Sequence, residues 1–265
     1  MTTYPSPRSI VITGASSGIG EALALHYAKQ DVTLFINGRD HDRLEGVAEA
    51  CRAKGAIVHP QVVDVTDRPA MEQWIADCDA IAPLNLVIAN AGIAVGSTTV
   101  EGMRDAVHNC YDVNVNGVFN TVHPALDLMS RRKPYPVTNG QIGIVSSVMG
   151  YVGTARSPAY SSSKAAIKSY GQALRGAFRG MGIGVTVICP GYVRSRLMGP
   201  NMKGYPFMVE VDKAASITAR ALAKNKARIT FPWQVLLLAR IAINLPGFLA
   251  DRVNQPWGVK RLEKE

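Results

Sequence analysis

This sequence has no cysteine pair, no long apolar run and no repeat around which a fold could be organised. The four cysteines of the 265-residue chain, Cys51, Cys78, Cys110 and Cys189, are scattered without Cys-x-x-Cys spacing, which excludes a disulfide framework and a structural zinc site. A reducing cytoplasm is therefore the expected location, and no metal is expected. The opening residues MTTYPSPRSI contain no apolar run of signal-peptide length. No stretch reaches the ~18 uninterrupted apolar residues of a transmembrane helix, so an exported or membrane-spanning chain is not expected. Low-complexity tracts and linkers marked by a shift in composition are also missing. One domain over 1–265 is expected, with a core at about 8–233 and a helical extension at about 234–255.

Acidic residues are in the minority: the formal charge is +9 and the pI about 9.5, which invites a nucleic-acid reading. The basic residues form only short clusters, at Arg131-Arg132-Lys133 and at Lys224 to Arg228, and each reads as a solvated face. No nucleic acid is expected as partner. An anionic ligand or a membrane surface is equally consistent with the excess charge.

What is present begins with a strand, a glycine turn and a helix. Ser9 to Ile12 is short and β-prone, Thr13-Gly-Ala-Ser-Ser-Gly-Ile-Gly20 follows, and Glu21 to Gln30 has helical periodicity. Glycines at Gly14, Gly18 and Gly20 let backbone approach a pyrophosphate, and the N–H groups of a helix start then face its charge. The next strand, Val32 to Asn37, runs into Gly38-Arg39-Asp40. Where an acid would bind a ribose 2′-hydroxyl this chain has Gly38 and then Arg39, which suits a 2′-phosphate; pairing with the following helix, Asp42 to Lys54, is the alternative.

Further strands are expected at Ile57 to Val63, closing on Asp64-Val65, and at Leu84 to Ala89, running into Asn90-Ala-Gly92. After a helical region from about Val100 to Ser130 that contains Asn114, three more are expected. They lie at Gln141 to Ser147, Gly184 to Cys189 and Arg228 to Trp233. Strands alternating with helices at βαβ spacing predict an α/β, Rossmann-like, doubly wound parallel sheet of about seven strands. Asn114 is a poor interior helix residue, so a polar role and a solvent-facing or kink-related one both stand.

Ser147 to Lys164 reads SVMGYVGTARSPAYSSSK. Tyr160 and Lys164 are four apart and leave one face of a helix. A tyrosine titrates near pH ~10 in water, and a fixed cation nearby favours the phenolate. Ser147 can hold a substrate oxygen while Tyr160 gives or takes the proton. A Tyr and a Lys at this spacing also occur on surface helices without function.

With these residues in hand, the chain resembles the short-chain dehydrogenase/reductase (SDR) family over roughly residues 8–233. The resemblance rests on Thr13-Gly-x-x-x-Gly-Ile-Gly20, Asp64, Asn90-Ala-Gly92, Asn114, Ser147, Tyr160-x-x-x-Lys164 and Pro190-Gly191. It implies that Tyr160 is the acid/base, Lys164 lowers its pKa and binds the nicotinamide ribose, and Ser147 polarises the carbonyl. It also implies that Asn114 holds a water in a relay to Lys164. By the same resemblance, cofactor contacts fall on Gly14, Ser16, Ser17, Gly18, Ile19, Gly20, Asp64, Val65 and Asn90, Ala91 and Gly92. Pro190, Gly191 and Val193 would lie by the nicotinamide, with Ser195 where the family often has Thr.

The activity so implied is an NADP(H)-dependent oxidoreductase, NADP(H) being favoured over NAD(H), that interconverts a secondary alcohol and a ketone. A dinucleotide-binding regulatory or scaffold protein of the same fold is the alternative. The family is commonly dimeric or tetrameric, so a homo-oligomer is expected. The segment Trp233 to Ala250 is apolar on nearly all sides, interrupted by Arg240, Asn244 and Pro246, and followed by Arg252, Lys260 and Arg261. Such a helix must be covered: by its own domain, by a second subunit, by a lipophilic carbonyl or alcohol substrate whose cleft it walls, or by peripheral contact with a membrane.

Overall fold

The computed structural model describes residues 6–95, 99–132, 139–195 and 207–254. Seven short runs rich in Val and Ile form a wholly parallel sheet. They are β1 (Ser9–Ile12), β2 (Thr33–Gly38), β3 (Ile57–Val62), β4 (Leu86–Ala89), β5 (Gly140–Val145), β6 (Ile183–Pro190) and β7 (Arg228–Phe231), in the order 3-2-1-4-5-6-7. Every residue of β1, β4, β5 and β6 is buried, whereas edge strand β3 is half exposed, as both-faced burial at the centre of a parallel sheet requires.

Side-chain alternation divides the core into two layers. Ile10, Ile12, Leu34 and Ile36 face α1 (Gly18–Tyr27), α2 (His41–Arg52) and α7 (Val211–Ala223) through Leu23, Leu44 and Leu222. Val11, Phe35, Val87 and Ile144 face α3 (Arg68–Ile81), α5 (Gly117–Ser130) and α6 (Pro158–Phe178) through Met71, Trp74, Val118 and Ile167. Asp40 and Asp67 cap α2 and α3, accepting from Arg43 N at 3.0 Å and Ala70 N at 3.1 Å. Because β1 is flanked by β2 on one side and β4 on the other, the chain leaves it in opposite directions. A crevice therefore opens at the carboxyl ends of these strands.

Most expected boundaries shift by one to three residues, and three of the shifts bear on the site. The region expected as helical over 100–130 is α4 (Val100–Tyr111), a π-helical turn at Asp112–Asn116, and α5; the extra residue in that turn aims Asn114 inward. β5 stops at Val145, and Ser147 instead caps a 3-10 turn at Val148–Gly150, its hydroxyl accepting from Met149 N at 3.1 Å. β7 ends at Phe231 because Pro232 has no N–H for the ladder, and α8 (Trp233–Ile243) starts directly afterwards. α8 packs on β7 and on the turn at 148–150, and α9 (Gly247–Asn254) follows the break at Pro246. Among the described residues no helix is long and apolar enough to cross a membrane. Lys133 of the expected basic cluster lies outside the described residues, as do position 255 of the expected extension, Lys260 and Arg261.

Candidate active site

Two glycines of the turn after β1 take left-handed backbone, Gly14 at φ 66° and Gly18 at φ 62°, a conformation that side chains disfavour. Gly20 is needed for another reason: a Cβ there would stand 2.3 Å from the Gly14 carbonyl oxygen and 2.5 Å from Asn90 Nδ2. The turn is clamped from β4. Asn90 Nδ2 donates to the carbonyls of Thr13 (2.9 Å) and Gly14 (3.1 Å), while the N–H groups of Asn90 and Ala91 donate to Thr13 Oγ1 at 3.1 and 3.2 Å. The N-cap of α1, Ser17, makes no side-chain bond to the helix start. The first N–H groups of α1 are thus left for an anion.

The crevice continues in both directions from this turn. At the β2 end, a Cβ on Gly38 would stand 2.9 Å from Ser16 Oγ, so the missing side chain lets the turn close over β2. Arg39 follows, exposed, and joins no ion pair among the described residues. The pairing weighed for it falls to Arg43 instead, whose Nε lies 2.7 Å from Asp40 Oδ2. Asp64 Oδ1 accepts from Thr66 N and Oγ1 at 2.9 and 2.8 Å. This local turn presents Asp64 and Val65 beside Arg39. At the β6 end, Gly191 N donates to Phe231 O at 2.7 Å, Val193 bridges to Val209, and Ser195 lies against Gly18, 3.2 Å from where a Cβ would stand.

Ser147, Tyr160 and Lys164 meet between these ends. The first turn of α6 lies over the end of β5, so Tyr160 faces Ser147 across the crevice. Burial pushes the Tyr160 phenol above its ordinary value, and a hydrogen bond with Ser147 opposes the rise. Lys164 is buried and donates to Val145 O at 3.0 Å, with its Nζ 5.9 Å from the Tyr160 ring centroid. Desolvation lowers its pKa to about 8. Neighbouring Ser146 is structural, donating to Lys164 O at 2.7 Å.

Asn114 lies behind Gly92. Its amide donates to Ile93 O (2.9 Å) and Ser163 Oγ (3.0 Å) and accepts from Ile93 N (2.8 Å). One Oδ1 lone pair is left over. That oxygen and Lys164 Nζ are each 3.0 Å from the point a Cβ on Gly92 would occupy, so glycine at 92 is what lets both face one gap.

A single cavity of about 620 Å³ joins these parts, a size typical of small-molecule sites. Every residue expected at the site lines it except Gly20 and Asn114, which hold its wall from behind. The sequence reading missed Arg43 and Arg156, which also line it. Arg43 was within reach, one helical turn after Arg39; nothing in the sequence marked Arg156. Among the described residues no cluster of His, Cys, Asp or Glu has metal-ligand grouping.

The chain matches the short chain dehydrogenase family over residues 8–205. It is 37% identical over 248 residues to an uncharacterised oxidoreductase of Myxococcus xanthus, covering 93% of this chain and 96% of that protein. A putative ketoacyl reductase of monensin polyketide synthesis from Streptomyces virginiae is 28% identical over 94% of this chain and 92% of its own length. A short-chain dehydrogenase of Sphingobium yanoikuyae, solved with NADPH, superposes with a TM-score of 0.76 at 23% identity over 90% of this chain and 96% of that one. One from Mycobacterium paratuberculosis, bound to NAD, gives 0.71 at 23% over 84% and 95%. These last two likenesses bear on the fold. With a matching family signature over most of its length and a relative that shares nearly all of it, the protein belongs to the short-chain dehydrogenases and is an oxidoreductase acting on CH–OH groups.

Proposed function

We propose that the protein interconverts a secondary alcohol and a ketone with NADP(H), and that Ser147, Tyr160 and Lys164 carry the proton chemistry. The observation that carries this reading is their convergence, with Ser147 bonded to Tyr160, in one cavity that also holds the glycine turn and Arg39. The glycine cradle, the uncapped start of α1 and two guanidinium groups by the β2 end fit a phosphorylated dinucleotide, which supplies or accepts the hydride. In reduction Tyr160 protonates the carbonyl oxygen, Ser147 donates a hydrogen bond to the charge that develops there, and Lys164 holds positive charge behind the phenol. Asn114, through its remaining lone pair, completes a relay that returns a proton toward Lys164.

Arg39, with Arg43 one turn on, favours a 2′-phosphate and thus NADP(H) over NAD(H). Ile93, Ala94, Val148 and Met149 give the cavity an apolar part of its lining, which supports a lipophilic ketone or alcohol; the ketoacyl reductase name of one relative agrees with carbonyl reduction. The four cysteines are free and buried, consistent with a reducing cytoplasm. The outer faces of α5 and α6, where Phe119 stacks on His123 at 5.6 Å and His123 meets the Tyr170 hydroxyl at 2.5 Å, are the proposed contact of a dimer or tetramer.

The test is turnover of NADPH and NADH against a panel of straight-chain ketones and the matching alcohols. At least one pair should be turned over, with kcat/KM about tenfold or more in favour of NADPH. Equal efficiency with both cofactors would refute the cofactor assignment. Binding of NADPH without turnover of any ketone or alcohol would refute the reaction.

A further inference from the structure

The basic residues are not evenly spread along the chain; they are divided between its halves. Residues 1–127 carry eight Lys and Arg against fifteen Asp and Glu, whereas residues 128–265 carry twenty-one against five. No acid lies between Asp127 and Glu210, and none between Asp212 and Asp251. The fold turns this asymmetry into a spatial one, because the first half supplies β3-β2-β1-β4 and the second β5-β6-β7. The flank ending in β7 is thus built from the basic half of the chain, although α7 of that half also packs on α1.

Helices α8 and α9 are attached to that basic flank, and they carry large apolar side chains into solvent. Trp233 is 67% exposed, Leu238 and Ile241 each 53%, and Phe248 73%. Trp233, Leu237 and Ile241 recur every four residues and so form one stripe. Arg240 and Arg252 are exposed beside it, with Asp251 the one acid of the two helices. The inner side of α8 supports the cavity. Val235 Cγ2 comes within 3.6 Å of the point a Cβ on Gly191 would take, and the helix packs on the turn at Val148–Gly150. Gly191, Val148 and Met149 line the cavity.

We propose that the α8–α9 face docks on an anionic bilayer, with its apolar stripe at the headgroup boundary, and that lipophilic substrate reaches the cavity from that side. Both helices are too short to span a bilayer, but an apolar face flanked by cations can lie in its interface. An exposed apolar patch marks an interaction surface, and the charge decides between occupants. A two-fold contact with a second copy would set the basic flank against itself, whereas anionic lipid offers the opposite sign. The substrate route rests on the cavity being the active site; the docking does not.

The test is co-sedimentation of the full chain, without substrate, with phosphatidylcholine vesicles and with vesicles one-third phosphatidylglycerol. Binding should be at least tenfold stronger to the anionic vesicles and weaken as salt is raised. The triple variant Leu237→Ser, Ile241→Ser, Phe248→Ser should lose at least tenfold of it while binding NADPH normally. Phe248→Ser alone, at the most exposed of the three positions, should lose a measurable part and guards against misfolding of the triple variant. No vesicle binding, or equal binding to both compositions, would overturn the proposal. So would a triple variant that partitions like the parent but has lost a defined oligomer in lipid-free solution, since the face is then a subunit contact. A protein that binds vesicles yet turns over no ketone or alcohol would keep the docking and sink the reaction.

Discussion

Lys164 carries the electrostatics of the site on a single side chain. The i,i+4 spacing pairs it with Tyr160. In the fold its ammonium is buried, turned to the Val145 carbonyl and held at a pKa of about 8. A lysine whose folded pKa is depressed is protonated in both states below that value, so its burial cost is present in full at neutral pH. Between about 8 and the ordinary lysine value the unfolded chain binds more protons, so stability rises with pH. Lys164→Met should therefore stabilise the cofactor-free protein at pH 7, on the order of 2–3 kcal/mol. The advantage should shrink as pH approaches 10; chemical denaturation across that range checks it, and a pH-independent difference would contradict it. Arg39 makes a separate residue-scale claim. Arg39→Ala should cut the preference for NADPH roughly ten- to a hundredfold, through the loss of a charge-assisted contact, and leave kcat/KM for NADH unchanged. The glycine turn, Tyr160 and Ser147 were legible because their chemistry depends on residue type and local spacing. Arg156 was not, because only tertiary packing brings the loop before α6 to the cavity.

At the scale of elements, the alternation of apolar strands and periodic helices predicts all seven strands, since each is a short buried run between turns. The π-helical turn was hidden, because one inserted residue leaves an apolar pattern intact while it rotates Asn114 inward. The end of β5 was misplaced by two residues because Ser146 N still bonds to Ile188 O at 2.7 Å and Ser147 keeps extended backbone past the last strand residue. The junction of β1 and α1 makes the most exacting prediction of this kind. Gly20→Ala asks for a methyl group 2.3 Å from the Gly14 carbonyl, which is backbone and cannot move aside cheaply. It should destabilise the protein by about 1–3 kcal/mol and weaken NADPH binding at least tenfold. Unchanged melting and cofactor titration in this variant would show that the turn is not held as described.

For the whole molecule, the sheet order 3-2-1-4-5-6-7 brings together residues that lie far apart in the chain. The glycine turn comes from β1, Arg39 from β2, the Asn90 clamp from β4, and the Ser147, Tyr160 and Lys164 set from β5 and α6. The division of charge was present in the sequence but is hidden by a net figure of +9; the sheet order adds that the β7 edge comes from the basic half. The central claim is that this arrangement moves a proton through Tyr160 in step with hydride transfer. The measurement that tests it most directly compares the parent with Tyr160→Phe, for NADPH affinity and for turnover of the best ketone in the panel. The variant should bind NADPH within a few fold of the parent and turn over at least ~100-fold more slowly, since it lacks the proton donor and little packing. Turnover close to the parent's, with binding intact, would contradict it.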